Sequence, residues 1–162
     1  MKTIVCVDEN WGIGSNNDLL YHLPADMKFF REHTTGNVVV MGMATVLSLP
    51  GGKPLPKRTT VALSDDLSWN PEGVIVCRSM DELKEKLSEF DSDSIYVCGG
   101  ASVYAQLIDL CDEALITKVK AGDKAAEKYF PNLDEKPEWT MVYESEEMEH
   151  EGVKFSFTTY RK

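Results

Sequence analysis

The chain has no apolar run approaching the roughly 18 residues that a membrane-spanning helix requires. Its opening strand-like stretch runs at once into Asp8 and Glu9, which is not the composition of a secretory leader. Paired cysteines are missing as well. Cys6, Cys77, Cys98 and Cys111 are widely separated, with no Cys-x-x-Cys pair and no histidine cluster beside them. A disulfide framework and structural zinc are therefore not expected, and reduced thiols in a cytoplasmic protein are the simplest reading. His22, His33 and His150 show no metal-ligand spacing, so no metal site is expected either. Basic residues are scarce: 17 Lys and Arg face 27 Asp and Glu, for a net charge of −10. Nucleic acid is a poor partner for such a chain, because binding it depends on neutralising phosphates. Also absent are internal repeats, low-complexity tracts, linkers and any serine set among elbow glycines. What is present is 162 residues with 43% hydrophobic and 27% charged side chains, which suits one soluble globular domain.

The apolar segments are short and rich in β-branched residues. Residues 3–8, 38–41, 59–63, 74–77, 94–98 and 114–119 each read as a strand. The runs ending at Met41 and Cys98 do not alternate, which suits strands covered on both faces in a largely parallel sheet. Residues 139–146 and 153–160 alternate better and predict a terminal antiparallel hairpin. The acidic run of Glu144, Glu146, Glu147, Glu149 and Glu151 between them reads as a solvated rim. Helices fall between the strands. Pro24 suits a first helical position, residues 44–49 form a short helix, and Ser79 with Glu82 has capping-box spacing ahead of Leu83 and Leu87. Val103, Leu107 and Leu110 share one face of a helix over 101–110. This alternation predicts an α/β sheet with four helices distributed over both faces.

Two strand–glycine–helix junctions stand out. One passes through Gly42 into Met43, Ala44 and Thr45; the other passes through Gly99 and Gly100 into Ala101, Ser102, Val103 and Tyr104. Glycine there permits a tight turn and close approach of a ligand, and the helix start offers N–H groups to an anion. Two such sites on one sheet fit a dinucleotide, although neither is the Gly-x-Gly-x-x-Gly fingerprint and plain turns give the same pattern. On a helix begun at Pro24, Asp26 lies on the side of Phe29 and Phe30. A carboxylate on an aromatic face is poorly solvated, so its pKa rises and it seeks a donor, as a substrate-anchoring acid does. The helix dipole alone also favours an acid in the first turn. The polar loop from Asp8 to Leu20, with Gly12 and Gly14, is long enough to fold over a ligand. Lys53, Lys57 and Arg58 gather in a Pro/Gly-rich turn that could clamp a carboxylate, bidentately if Arg58 points inward.

These pieces follow one another in a familiar order. Ile13 and Gly14 come first with Asn17, then Leu23, Pro24, Ala25 and Asp26 with Phe29 and Phe30, then Val40, Met41 and Gly42 with Thr45. Pro54, Leu55 and Pro56 follow with Arg58, then Leu63 and Ser64, Gly99 and Gly100 with Val103 and Tyr104, Thr117, and Phe130 with Pro131. In this order and spacing the chain resembles the dihydrofolate reductase family over essentially its whole length. The resemblance implies reduction of 7,8-dihydrofolate to tetrahydrofolate with a hydride from NADPH. It implies a twisted, mostly parallel eight-stranded sheet with a C-terminal antiparallel hairpin and four helices. It also implies a single domain over 1–162, with an adenosine-binding part at about 37–107.

Carried over by position, Asp26 anchors the pterin, Thr117 supports that carboxylate, and Tyr21 holds a water near it. Ile4, Val5, Met27, Phe30, Leu49 and Leu55 line an apolar cleft. Arg58, with Lys53 nearby, pairs with the glutamate tail. Cys6 and Cys98 supply backbone carbonyls, and Tyr104 borders both substrate and cofactor. The loop bearing Ile13, Gly14, Asn17 and Leu19 closes over the nicotinamide. Gly42, Ala44 and Thr45, with the segment from Gly99 through Tyr104, hold phosphates, while Leu63, Ser64, Asp65 and Arg78 flank the adenosine end. The resemblance also implies antifolate inhibitors as ligands and a monomer, with no membrane partner.

Several positions depart from the family pattern. Tyr21 stands where Trp is usual, and Leu19 and Leu20 stand where a Met-Pro pair is common. Met43 and Ser102 replace cations, and Asp65 replaces a hydroxyl residue, leaving Arg78 as the local cation near the cofactor's 2′-phosphate. Reduced discrimination against NADH is the expectation. Glu127 falls near a usual Asp after a lengthened loop. Two other readings are a same-fold pyrimidine reductase of flavin biosynthesis, against which the pairing of Asp26 with Arg58 argues, and a non-catalytic nucleotide-binding module.

Overall fold

The computed structural model describes residues 1–15, 18–122 and 124–162, so the expectation for Asn17 lies outside the described residues. The first half of the chain forms β1 (Lys2–Val7), β2 (Gly12–Ser15), β3 (Asp18–Leu19), α1 (Pro24–Thr34), β4 (Val38–Gly42), α2 (Met43–Leu47), β5 (Thr59–Leu63) and β6 (Val74–Cys77). The second half forms α3 (Met80–Leu87), β7 (Ile95–Val97), α4 (Ala101–Leu107), β8 (Glu113–Val119), β9 (Lys128–Tyr129), β10 (Thr140–Glu144), β11 (Met148–His150) and β12 (Val153–Arg161). The main sheet has the order β10-β12-β8-β1-β7-β4-β5-β6, with β11 pairing on β12. Pairings from β8 across to β6 are parallel, and β12 joins β8 antiparallel. Among the described residues no helix is long and apolar enough to cross a membrane.

Side-chain alternation along β1 divides the interior. Val5 and Val7 face a core shared with Leu83 and Leu87 of α3 and Val103 and Leu107 of α4. Ile4 faces the opposite side, where Phe29 and Phe30 of α1 pack. Val46 of α2 joins Val39, Met41 and Ala62 on that same side. Each fully buried aliphatic side chain contributes about 1.5–3 kcal/mol. The helices stop where the sequence dictates. Pro50 cannot continue α2, which ends at Leu47 rather than at residue 49. Ser79 caps α3 by accepting from the Glu82 N–H, while Glu82 Oε2 accepts from the Arg78 N–H at 2.9 Å.

The C-terminal hairpin differs from expectation. The acidic stretch is not all rim, because Met148–His150 forms a strand of its own against β12. Glu151 and Gly152 both adopt positive φ, at 49° and 82°, which makes the two-residue turn that closes a tight hairpin. β10 pairs further along β12 with a register break between Met141 and Tyr143. All of β10 is exposed, as suits an edge strand interrupted by a bulge.

Candidate active site

α1 begins at Pro24, where a missing N–H is harmless, and this puts Asp26 in its first turn. Phe29 stacks on Phe157 of β12, with centroids 4.4 Å apart and planes 11° apart. Phe30 packs beside Ile4, Tyr96 and Leu115. These two rings press the helix onto the sheet and carry Asp26 with them. Thr117, itself 1% exposed on β8, donates from Oγ1 to Asp26 Oδ1 at 2.6 Å. Burial pushes the Asp26 carboxyl above its ordinary pKa, while hydrogen bonds from Thr117 and Cys6 pull it partly back.

Phe30, Leu49, Leu55 and Cys98 pack against one apolar cluster, and Phe30 and Cys98 also touch the cluster containing Ile4. Most of the predicted cleft wall is thereby brought together on the face of the sheet that α1 covers. Met27 is on the same helix and is 54% exposed. Val5 is the exception: its side chain enters the core on the far face, so only its backbone reaches this side. Arg58 is tied to the far end of α1. It donates from Nε to Thr34 Oγ1 at 3.0 Å, and through its terminal nitrogens to Thr35 Oγ1 and the Pro56 carbonyl. Three of its five N–H donors are thus engaged, and burial lowers its pKa. Nothing in the sequence pattern marks Thr34 as its anchor. Lys53 is exposed in the same turn.

The predicted phosphate and adenosine residues line the carboxyl edge of the parallel strands. Gly42 pairs with Leu63 and Leu63 with Cys77. The Gly42 N–H donates to the Gly99 carbonyl at 2.8 Å, joining the two glycine junctions. From β1 to β6 this edge crosses four inter-strand gaps, about 19 Å, which suits an elongated ligand lying outside the strand ends. Gly99 has φ +119°, and a Cβ there would come within 3.3 Å of the Tyr104 ring; one on Gly100 would come within 3.3 Å of Thr45 Oγ1. Side chains at these two positions would crowd Tyr104 and Thr45, so the ledge keeps bare backbone. Tyr104 and Val103 turn inward beneath it, and the Tyr104 hydroxyl donates to the Ile4 carbonyl at 2.8 Å. Ala101 is partly buried, and Ala44 and Ser102 are exposed along the rim. At the outer end Ser64 Oγ donates to Met43 Sδ at 3.2 Å. Arg78 donates to the Asp66 carbonyl at 2.5 Å, and the acid Asp65 is exposed. Hydrogen bonds from Ser68 lower the Asp66 pKa, with Arg78 adding a smaller effect.

Within the glycine loop, residues 12–15 and 18–19 pair as strands, which its polar sequence does not announce. β2 pairs with both β3 and β9 in a small sheet. The Glu127 N–H donates to the Gly14 carbonyl at 2.8 Å, and Ser15 Oγ donates to Glu127 Oε1 at 2.8 Å. Ile13 is buried in the main core, whereas Leu19 is 48% exposed. Lys124 Nζ donates to the Leu20 carbonyl at 2.7 Å and lies 4.4 Å from the centre of the buried Tyr21 ring. Cys6, Leu19, Leu20 and Tyr21 share one groove at the base of this strap.

Comparison with known proteins is consistent along the whole chain. A family model described as dihydrofolate reductase matches residues 1–162. The dihydrofolate reductase of Haemophilus influenzae is 35% identical over 141 residues, covering 87% of this chain and 84% of that protein. That of Bacillus subtilis is 31% identical over 139 residues, covering 86% and 79%. Among solved structures, dihydrofolate reductase from Enterococcus faecalis, complexed with NADP(H) and RAB-propyl, superposes with a TM-score of 0.87 at 31% identity. That match covers 99% of this chain and 94% of the other.

Proposed function

Because this chain belongs to the dihydrofolate reductase family, we propose that it reduces 7,8-dihydrofolate to tetrahydrofolate with NADPH. The observation that carries this reading is the Asp26 carboxylate, desolvated beside Phe29 and Phe30 yet held by Thr117, at one end of the backbone ledge formed by Gly99 and Gly42. The ledge fits a phosphate-bearing cofactor, since Gly42, Gly99 and Gly100 offer bare backbone along it. Residues 37–107 would carry the adenosine end. We take the working unit to be a monomer in the cytoplasm, open to antifolates in the same cleft.

When bound, NADPH supplies the hydride. Asp26 accepts hydrogen bonds from the amino and ring N–H groups at the pterin edge, with Thr117 fixing its orientation. Ile4, Phe30, Leu49 and Leu55 exclude water and hold the acceptor ring in near-attack position. Arg58 pairs with the glutamate tail through donors that Thr34 and Thr35 leave available. The proton on the ring nitrogen comes from water admitted when the strap bearing Leu19 moves. Asp26 raises the basicity of that nitrogen electrostatically, so the rate falls as pH rises through an apparent pKa of the bound complex.

The test is loss of nicotinamide absorbance on mixing the protein with dihydrofolate and NADPH. Asp26→Asn is expected to lower kcat by about 10²–10³-fold, the cost of removing one preorganised electrostatic group, while leaving NADPH affinity nearly unchanged. Nucleotide binding without turnover in the native protein, or equal loss of turnover and affinity in the variant, overturns the reading.

A further inference from the structure

Two side chains of the sheet, not one, act on Asp26. β1 and β8 run parallel with Cys6 opposite Thr117 in the register. Residues so paired send their side chains to the same face. Thr117 gives its hydroxyl to Asp26 Oδ1, and the register sets Cys6 beside Thr117 on the face that meets this carboxylate, where its thiol lowers the Asp26 pKa. Their settings differ: Thr117 is sealed, whereas Cys6 is only partly buried and lines the groove shared with Leu19, Leu20 and Tyr21. We propose that Cys6 is a positioning residue of this site, its thiol and the Thr117 hydroxyl forming a two-pronged clamp that fixes the Asp26 carboxylate against the sheet. The proposal rests on the reading of Asp26 as the substrate anchor, and it assigns to the thiol a task separate from that of the Cys6 backbone.

The clamp works by hydrogen-bond donation, not by charge. The groups facing Asp26 are Thr117 from β8, Cys6 from β1 and the Tyr104 phenol from α4; Asp8 acts in turn on Cys6. Burial, with smaller help from Asp26 and other neighbours, pushes the Cys6 thiol and the Tyr104 phenol well above their ordinary values. Both stay protonated and neutral while Asp26 titrates. A donor to the carboxylate favours its charged form, so deleting the thiol moves the Asp26 titration upward. A thiol is a weak donor, and a hydroxyl in its place is a stronger one.

The experiment follows the Asp26 carboxyl by carbon-13 NMR across pH in the ligand-free native protein, Cys6→Ala and Cys6→Ser. The midpoint is expected to rise in Cys6→Ala and to lie at or below the native value in Cys6→Ser. The pH limb of kcat is expected to move in the same order. An unmoved midpoint in Cys6→Ala, or a rise of equal size in both variants, overturns the clamp. The titration needs no substrate, so the two readings separate. Ordered midpoints without dihydrofolate turnover would overturn the proposed function and keep the clamp; turnover with unmoved midpoints would do the reverse.

Discussion

Arg78 shows how much one side chain's surroundings decide. Its guanidinium is turned toward the Asp66 backbone, and Glu82 accepts from the Arg78 backbone N–H. Across the edge, Met43 accepts at its sulfur from Ser64 and brings no charge. On the proposed reading, a phosphate on the cofactor's ribose meets a charge-assisted contact from Arg78 there. Arg78→Ala should therefore reduce kcat/KM with NADPH by about 5–10-fold, the worth of roughly 1 kcal/mol, and leave NADH unaffected. Measuring both cofactors with both proteins checks this. A large preference for NADPH that survives the substitution would mean another group reads the phosphate. Arg58 is decided differently, since Thr34 and Thr35 hold its guanidinium in place before any ligand arrives. That preorganisation lowers the entropy lost when a carboxylate binds.

At the scale of elements, the glycine junction after β7 bears most of the geometric demand. Gly99 combines φ +119° with a neighbour 3.3 Å from any added Cβ, whereas Gly36 has φ +82° and open space around it. Gly99→Ala should destabilise the fold by about 1–3 kcal/mol and weaken NADPH binding at least tenfold, since strain there displaces the ledge. Gly36→Ala carries only the backbone term, on the order of 1 kcal/mol, with binding unchanged. Urea unfolding and cofactor titration of both variants distinguish the cases, and matching losses of affinity would show that the ledge is not where the cofactor rests. The parallel strands were legible in sequence because Val38 to Met41 and Ile95 to Val97 are apolar on both faces, as a doubly covered sheet requires. The small sheet of β2, β3 and β9 was not, because its strands are only two to four residues long and its pairing depends on a contact between Gly14 and Glu127 far apart in the chain. Asp26 was legible through its helical spacing from Phe29 and Phe30. The Cys6 thiol was not, because ladder register between β1 and β8 leaves no local pattern in either strand.

For the whole molecule, the carboxylate proposed to anchor the substrate works against the fold. Burial raises the Asp26 pKa above its unfolded value, so the folded chain holds that proton more tightly than the unfolded one. The stabilisation linked to this proton is complete below the unfolded pKa and is lost as pH rises through the folded pKa. At neutral pH the charge is buried beside Phe29 and Phe30 at a net cost, which the hydrogen bond from Thr117 offsets only in part. Asn has the same shape without the charge. Asp26→Asn is therefore expected to be the more stable protein at pH 7 by on the order of 1 kcal/mol, a rise in Tm of a few degrees for a chain of this size. Every other acid is common to both proteins, so their contributions cancel in the difference. As pH falls below the ordinary carboxylate range Asp26 becomes neutral in both states, and the two unfolding curves should converge. Thermal unfolding of the pair from pH 7 downward reads this directly. A gap that stayed constant on acidification would place the effect in packing, and a native protein more stable than the variant at pH 7 would mean that the clamp outweighs desolvation.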